Sequence, residues 1–295
     1  MSVNLPSHYV SQFSSNVNLL LQQKGSKLRE AVMVGSHVGK QASPVDQFAP
    51  IAMQAVTGRF EAMGRVDAAV DRRWVFPSDF DLPQMIDSFD KLRLLTDPQS
   101  AYVQNAVYAA GRKMDQLILA AINGTNYTGV AGGTSTVLPS AQKVLVTEGG
   151  ANSGLNVAKL KAGIKLLMAA DIDMGAEQIY CVIKAKQHDN LLNEIQVISQ
   201  DFNWGDRPVL KEGRIQRFLG INFIHSELVE SSSTSDLVPL FCKSGVHLGI
   251  WNDITTDISQ RKDLQGLPWQ AYVYMTAGAT RLEEEKVVQI ACYNA

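Results

Sequence analysis

A chain of 295 residues, 45% of them apolar, is long enough and apolar enough to bury a substantial core, which excludes a disordered chain. The formal net charge of −2, with acidic and basic residues interspersed, excludes a whole-protein field that would drive binding to nucleic acid or to an anionic membrane. Cys181, Cys242 and Cys292 lie far apart with no CxxC pair, so they read as buried, inert thiols of a reducing compartment.

At the N-terminus, Met1 to Ser15 shows no basic region followed by an apolar stretch, and no apolar run is long enough to span a bilayer. The expectation is a cytoplasmic chain with no membrane partner, in which the sequons at Asn123 and Asn126 carry no glycan. Tyr9, Phe13, Val17, Leu20, Leu21 and Leu28 follow at loosely helical spacing, interrupted by Gly25-Ser26. This is an arm with a helical part, and it needs another surface to lie on. Gly35 to Pro50 reads as loop, broken by Gly35, Gly39, Pro44 and Pro50. From Met53 to Phe89 short extended pieces carry Arg59, Arg65, Arg72 and Arg73 beside Glu61, Asp67, Asp71, Asp79 and Asp81. Such a mixture suits a projecting hairpin whose charges are satisfied by water or by a partner surface.

Asp97-Pro98 starts the clearest element, a capping residue followed by a proline that fits the first helical turn. Val103, Val107, Ala110, Met114, Leu117, Ile118 and Ala121 continue it to a stop at Asn123-Gly124. The helix would be roughly 40 Å long and serve as a scaffold for a sheet. Beyond a Gly/Thr/Ser-rich connection from Tyr127 to Ser140, Asn156 caps a second helix through Leu160, Ile164, Leu167 and Met168. A strand at Gln178 to Ile183, a helix near His188 to Ile195 and strands around Ile215 to Ile224 make a compact α/β part. Glu230 to Asp236 reads as a surface loop. Strands at His247 to Trp251, Ile254 to Ile258, Trp269 to Met275 and Val287 to Cys292 close an α+β protein.

Signatures of chemistry are incomplete. Gly35-Ser-His-Val-Gly39-Lys40-Gln41 has three residues between its glycines where a phosphate-binding loop needs four, and Gln41 replaces the metal-holding hydroxyl. Gly129-Val-Ala-Gly132-Gly133 lacks the dinucleotide-binding spacing. His8, His37, His188, His225 and His247 show no paired spacing that would hold zinc. Asp79, Asp81, Asp87 and Asp90 could serve a hydrolase, but Arg72, Arg73, Lys91 and Arg93 are interleaved with them, as in surface or intersubunit ion pairs. Glu283-Glu284-Glu285-Lys286 reads as a solvated turn. No catalytic residue, cofactor or metal ligand is assigned.

Three sets of residues carry a family likeness. Tyr9-Val-Ser-Gln-Phe13 through Gln22-Gln23-Lys24-Gly25-Ser26-Lys-Leu28 is the first. Asp71-Arg72-Arg73, Asp87, Asp90-Lys-Leu-Arg93 and Asp97-Pro98-x-Ser100-x-Tyr102, leading into Ala109-Ala-Gly-Arg112-x-x-Asp115, form the second. Gly278-Ala-Thr-Arg281-Leu with Val287-Val-Gln-Ile-Ala-Cys292 forms the third. In this order they resemble the major capsid proteins of tailed bacteriophages, with the stretch from Val137 to Lys243 similar only in general pattern.

The resemblance implies a Hong Kong 97-like fold: an N-terminal arm (1–40), an extended β-hairpin loop (41–88), a peripheral domain with a long spine helix (89–140 and 245–295) and an axial domain (141–244). It implies self-assembly into pentamers and hexamers of an icosahedral shell around double-stranded DNA, contacted weakly and non-specifically. Portal, scaffolding or decoration proteins are the other implied partners, and the implied location is the virion capsid, assembled in the host bacterial cytoplasm. Expected intersubunit contacts are Phe13, Phe60, Arg65, Arg72, Arg73, Trp74, Asp79 and Asp81. Reversing Arg72 and Arg73 together is expected to impair shell formation and leave the subunit folded. An encapsulin-like compartment shell shares the fold, and a soluble α+β enzyme with a site near Asp79 and Asp81 is the remaining alternative.

Overall fold

The computed structural model describes residues 22–39, 42–55, 58, 64–86, 99–150, 152–194, 210–211 and 214–294. In chain order the strands are β1 (Met33–Ser36), β2 (Ala42–Phe48), β3 (Val70–Val75), β4 (Ser78–Ile86), β5 (Asn126–Thr128), β6 (Thr134–Thr136), β7 (Lys143–Val144), β8 (Ile179–Ile183), β9 (Leu210–Lys211), β10 (Arg214–Ile215), β11 (Arg217–Phe218), β12 (Ile221–His225), β13 (Ser231–Ser232), β14 (Ser235–Cys242), β15 (Val246–Gln260), β16 (Trp269–Arg281) and β17 (Val287–Tyr293). The helices are α1 (Gln99–Asn123), α2 (Val157–Ala169) and α3 (Ala185–Leu192).

Two cores result. Strand period 2 divides the sheet β11-β12-β8-β14-β17-β7 into two apolar faces. Cys181, Leu240, Val288 and Ile290 point to one face, where they pack with Leu160 and Leu167 of α2. Val182, Phe241 and Val287 point to the other and meet Ile118, Leu119 and Ile122 of α1 with Val246 and Leu248 of β15. Burial on both faces is why these strands read as continuous apolar runs. The sheet β1-β15-β16-β4 lies against α1, and the four-stranded sheet β2-β3-β5-β6 adjoins it.

Several expectations hold locally. Asn156 caps α2, its side chain accepting from the Lys159 amide at 2.8 Å. Asn156→Ala is expected to cost about 1 kcal/mol in chemical denaturation, and an unchanged midpoint would contradict the cap. The long helix ends at Asn123, where the Gly124 amide still reaches Ala120 O at 2.8 Å. The starting pair Asp97-Pro98 lies outside the described residues.

Other expectations are corrected. Gly35 to Pro50 is not all loop: β1 pairs in parallel with β15, Gly35 opposite Gly249, and β2 pairs with β3. The breakers are tolerated because the β2–β3 register shifts between Ala42 and Val45, where Pro44 lies, and because His247 occupies the space a Cβ on Gly35 would need. The Tyr127 to Ser140 connection contains the hairpin β5–β6, and Glu230 to Asp236 contains the β13–β14 turn, with Ser233 at φ 55°. The two short strands expected after His247 are one, β15, with irregular register between Ile250 and Thr255. β4, expected in the projecting loop, is instead hydrogen-bonded along β16. β17 pairs with β14 in the sheet under α2, while its Val287 also packs against α1.

Candidate interaction surface

β2 and β3 pair in antiparallel as a hairpin. At its far end Phe48 is 70% exposed, Ile51 63% and Met53 102%, with Val66 and Val70 also open. These apolar side chains are largely open to solvent in the single subunit, as on a surface that a partner completes.

Its base, by contrast, is tightly held. Arg73 donates through both terminal nitrogens to Glu284, at 2.6 and 2.7 Å, and through Nε to Gln47 Oε1 at 3.1 Å. Gln47 Nε2 donates to Leu282 O at 2.8 Å. Arg281, fully buried at the end of β16, donates to Ile122 O at 2.8 Å and Gly124 O at 3.2 Å, so a cation caps the carbonyl end of α1. Glu284 stands 3.7 Å from the same guanidinium, while burial holds the Arg281 pKa below its ordinary value. One carboxylate thus joins the hairpin, the turn after β16 and the end of the long helix.

A second anchor seats the chain that leads in from the N-terminus. Asp115 on α1 is fully buried and accepts from Gln23 Nε2 and Ser26 Oγ, both at 2.5 Å, and from the amides of Lys27 at 3.0 Å and Leu28 at 3.1 Å. Arg112 Nη1 donates to Gln22 Oε1 at 2.7 Å. Between them the chain crosses α1 at Gly111, where an added Cβ would lie 2.4 Å from the Gly25 carbonyl carbon. The motif from Gln22 to Leu28 and the motif from Gly111 to Asp115 are therefore two halves of one contact.

The expected contact residues separate into groups. Phe13 and Phe60 lie outside the described residues, as do Asp87, Asp90, Lys91 and Arg93. Arg65 pairs with Asp67 at 2.8 Å, both side chains exposed, and Arg72 pairs with Asp46 at 2.8 Å, both half-exposed. Arg73 departs from expectation, because its side chain is buried against Glu284 inside the subunit. The expectation that a double reversal of Arg72 and Arg73 spares the fold is corrected on that ground. Trp74 also turns inward, donating Nε1–H to Gly129 O at 2.7 Å and packing over Gly132. Asp79 accepts from Thr276 Oγ1 at 2.7 Å and Asp81 from Tyr272 OH at 3.3 Å on the β4–β16 ladder.

Those two carboxylates are exposed, each accepting from a hydroxyl of β16. The cavity beside Asp81, about 200 Å³, is lined mainly by apolar residues of α1, β4 and β16. Among the described residues no three metal-ligating side chains converge, and no helix is long and apolar enough to cross a membrane. Cys181, Cys242 and Cys292 are free and buried, and burial pushes the thiols of Cys242 and Cys292 up to about 12. Glu284, Asp115 and the His37–His247 contact escaped sequence reasoning. The glutamate sits in a run that looks solvated, and the other groups gain meaning only from partners far away in the chain.

A family described as phage capsid protein matches residues 5–294. No curated protein matches the chain. Among solved structures, the capsid of cyanophage P-SCSP1u superposes with a TM-score of 0.74 at 15% identity, covering 95% of this chain and 92% of that one. The capsid of cyanophage Pam1 gives 0.71 at 13% identity over 95% of each chain. The capsid of Ralstonia phage GP4 gives 0.68 at 14% identity over 94% of this chain and 93% of that one.

Proposed function

The chain belongs to the phage capsid protein family, and from that premise we propose that its copies close an icosahedral shell of pentamers and hexamers around double-stranded DNA. It is a structural protein of the virion, and its work is assembly. Portal, scaffolding or decoration proteins complete the particle, which forms in the host bacterial cytoplasm. Contact with the packaged DNA is weak and independent of sequence, in keeping with a net charge of −2.

The observation that carries this reading is a hairpin rigidly rooted at one end and apolar at the other. Arg73 and Glu284 fix its direction, while Phe48, Ile51 and Met53 stay in water in a single subunit. Burying a side chain of this kind is worth ~1.5–3 kcal/mol, so a neighbour that covers the hairpin gains stability from it. In domain terms, the segment held by Asp115 continues the arm and the β2–β3 hairpin is the extended loop. The sheet on α1 is the peripheral domain, and the sheet under α2 is the axial domain that faces the ring centres.

Size-exclusion chromatography with negative-stain microscopy, on the chain expressed alone and with its genomic neighbours, tests the proposal. Rings or closed shells containing DNA are expected. A stable monomer under both conditions would overturn it, and shells filled with protein cargo would favour an encapsulin-like compartment. Phe48→Asp with Ile51→Asp is expected to leave subunit stability within about 0.5 kcal/mol, because both sites are exposed, yet to abolish closed shells. Normal particles from that variant would remove the hairpin from the interface.

A further inference from the structure

His37 and His247, 210 residues apart in sequence, meet Nε2 to Nε2 at 2.8 Å. The parallel pairing of β1 with β15 brings them together, and the His37 amide extends it by donating to Ile250 O at 2.9 Å. Two glycines make the space: a Cβ on Gly35 would lie 2.7 Å from the His247 ring, and one on Gly249 would lie 2.8 Å from the His37 ring. Trp251 closes one side, its ring 5.3 Å from that of His37.

The hydrogen-bond inventory decides where the protons sit. His247 Nδ1 is buried and has no partner. A buried N–H without an acceptor costs more than a bare lone pair. The favoured arrangement therefore has His247 Nε2–H donating to His37 Nε2, with the Nδ1–H of His37 directed away from the pair. Adding a proton to His37 Nε2 removes the acceptor. The two N–H groups then face each other, or His247 shifts its proton to Nδ1 and buries an unpaired donor.

We propose that the His37–His247 pair is a proton-operated latch that holds β1 on β15 when neutral and lets go when protonated. β1 lies between the segment seated on Asp115 and the start of β2, so release would free the approach to the β2–β3 hairpin. The latch is internal to one subunit and is measurable whether or not shells form.

Among the described residues, no charge other than the pair's own shifts either ring. Met33 to Ser36 of β1, Leu248 to Trp251 of β15, and Val75 and Phe76 beside them carry no titratable side chain. Thr280, opposite His247 in β16, donates its hydroxyl to Asn126 Oδ1. The nearest charges along β15 belong to Asp253, which is paired with Arg29 at 2.7 Å. Burial lowers the pKa of His37, while burial and then the charge of His37 lower that of His247 from 6.5 to about 4.

Both pKa values fall on folding, so the latch is fully closed above pH 6.5 and weakens as pH falls from 6.5 towards about 4. At pH 5 the His247 shift alone raises the open population about 20-fold over its value at pH 7.

Hydrogen–deuterium exchange of residues 33–39 in the full chain, corrected for intrinsic rates, reads this directly. A loss of protection of about 20-fold between pH 7 and pH 5 is expected there and not in β8. His247→Gln keeps a side-chain N–H that can donate to His37 but cannot titrate, so the part of the loss that comes from His247 should vanish and the variant should lose well under the wild-type amount. Unchanged protection in the wild type, or an equal loss in His247→Gln, would overturn the latch. So would loss at pH 7 on adding a chelator, which would make the pair a metal site. Should His247→Gln not fold, histidine titration by NMR in the wild type serves instead: two rings titrating near pH 6.5 would also overturn the proposal.

Discussion

Glu284→Ala should destabilise the subunit by about 3 kcal/mol, whereas Arg72→Ala should change it by less than about 1 kcal/mol. The contrast follows from burial. Arg73 and Glu284 have side chains 9% and 15% exposed and share two short hydrogen bonds, while Arg72 and Asp46 are 43% and 46% exposed. Removing the glutamate leaves two buried guanidinium groups, Arg73 and Arg281, without their common anion. An uncompensated buried charge is costlier than the lost attraction. Arg73→Lys should recover little, because a single ammonium cannot match the two-oxygen geometry. Denaturant unfolding of the purified subunit checks the order. Equal midpoints for Glu284→Ala and Arg72→Ala would show that the hairpin is not rooted through this carboxylate. Because the network also holds the end of α1, loss of the hairpin's direction and loss of stability are expected together.

Asp115→Ala is the second large effect. It removes the acceptor for the Lys27 and Leu28 amides and for the Gln23 and Ser26 side chains. The Leu28 contact is buried, and a buried donor left unpaired costs about 1–3 kcal/mol, so the seat of residues 22–28 should open. Gly111→Val attacks the same seat by a different route, since its side chain would overlap the Gly25 and Ser26 backbone, which cannot move aside as a flexible side chain can. Both variants should keep the sheet under α2 intact yet become sensitive to trypsin at Lys24 and Lys27. Neither should form closed shells. Wild-type resistance to trypsin in both variants would mean that the incoming chain is held elsewhere.

Local order was legible because short-range chemistry sets it. The Asn156 cap, the end of the long helix at Asn123-Gly124 and the strands from Gln178 onward are written in adjacent residues. The family likeness was legible for a different reason: motifs such as Gln22 to Leu28 and Ala109 to Asp115 kept their order along the chain. Their physical purpose was not, because Asp115 acts on residues 87 to 92 positions away. The same limit explains Arg73, whose charged neighbours Asp71 and Arg72 suggested a solvated surface. Its partner lies 211 residues on, in a run of three glutamates of which Glu284 alone forms this buried pair.

Apolar period, capping residues and composition thus pointed to an α+β protein with a long helix, an arm that needs a surface to lie on and a charged loop. Only the tertiary structure decided which strands pair, which charges are buried and which histidines touch. Those outcomes depend on long-range register: pairing β1 with β15 in parallel brings His37 to His247, and pairing β4 with β16 takes Asp79 and Asp81 out of the projecting loop. A one-residue slip of either strand would turn the opposite set of side chains inward, a choice made by the packed faces together and not by any local stretch.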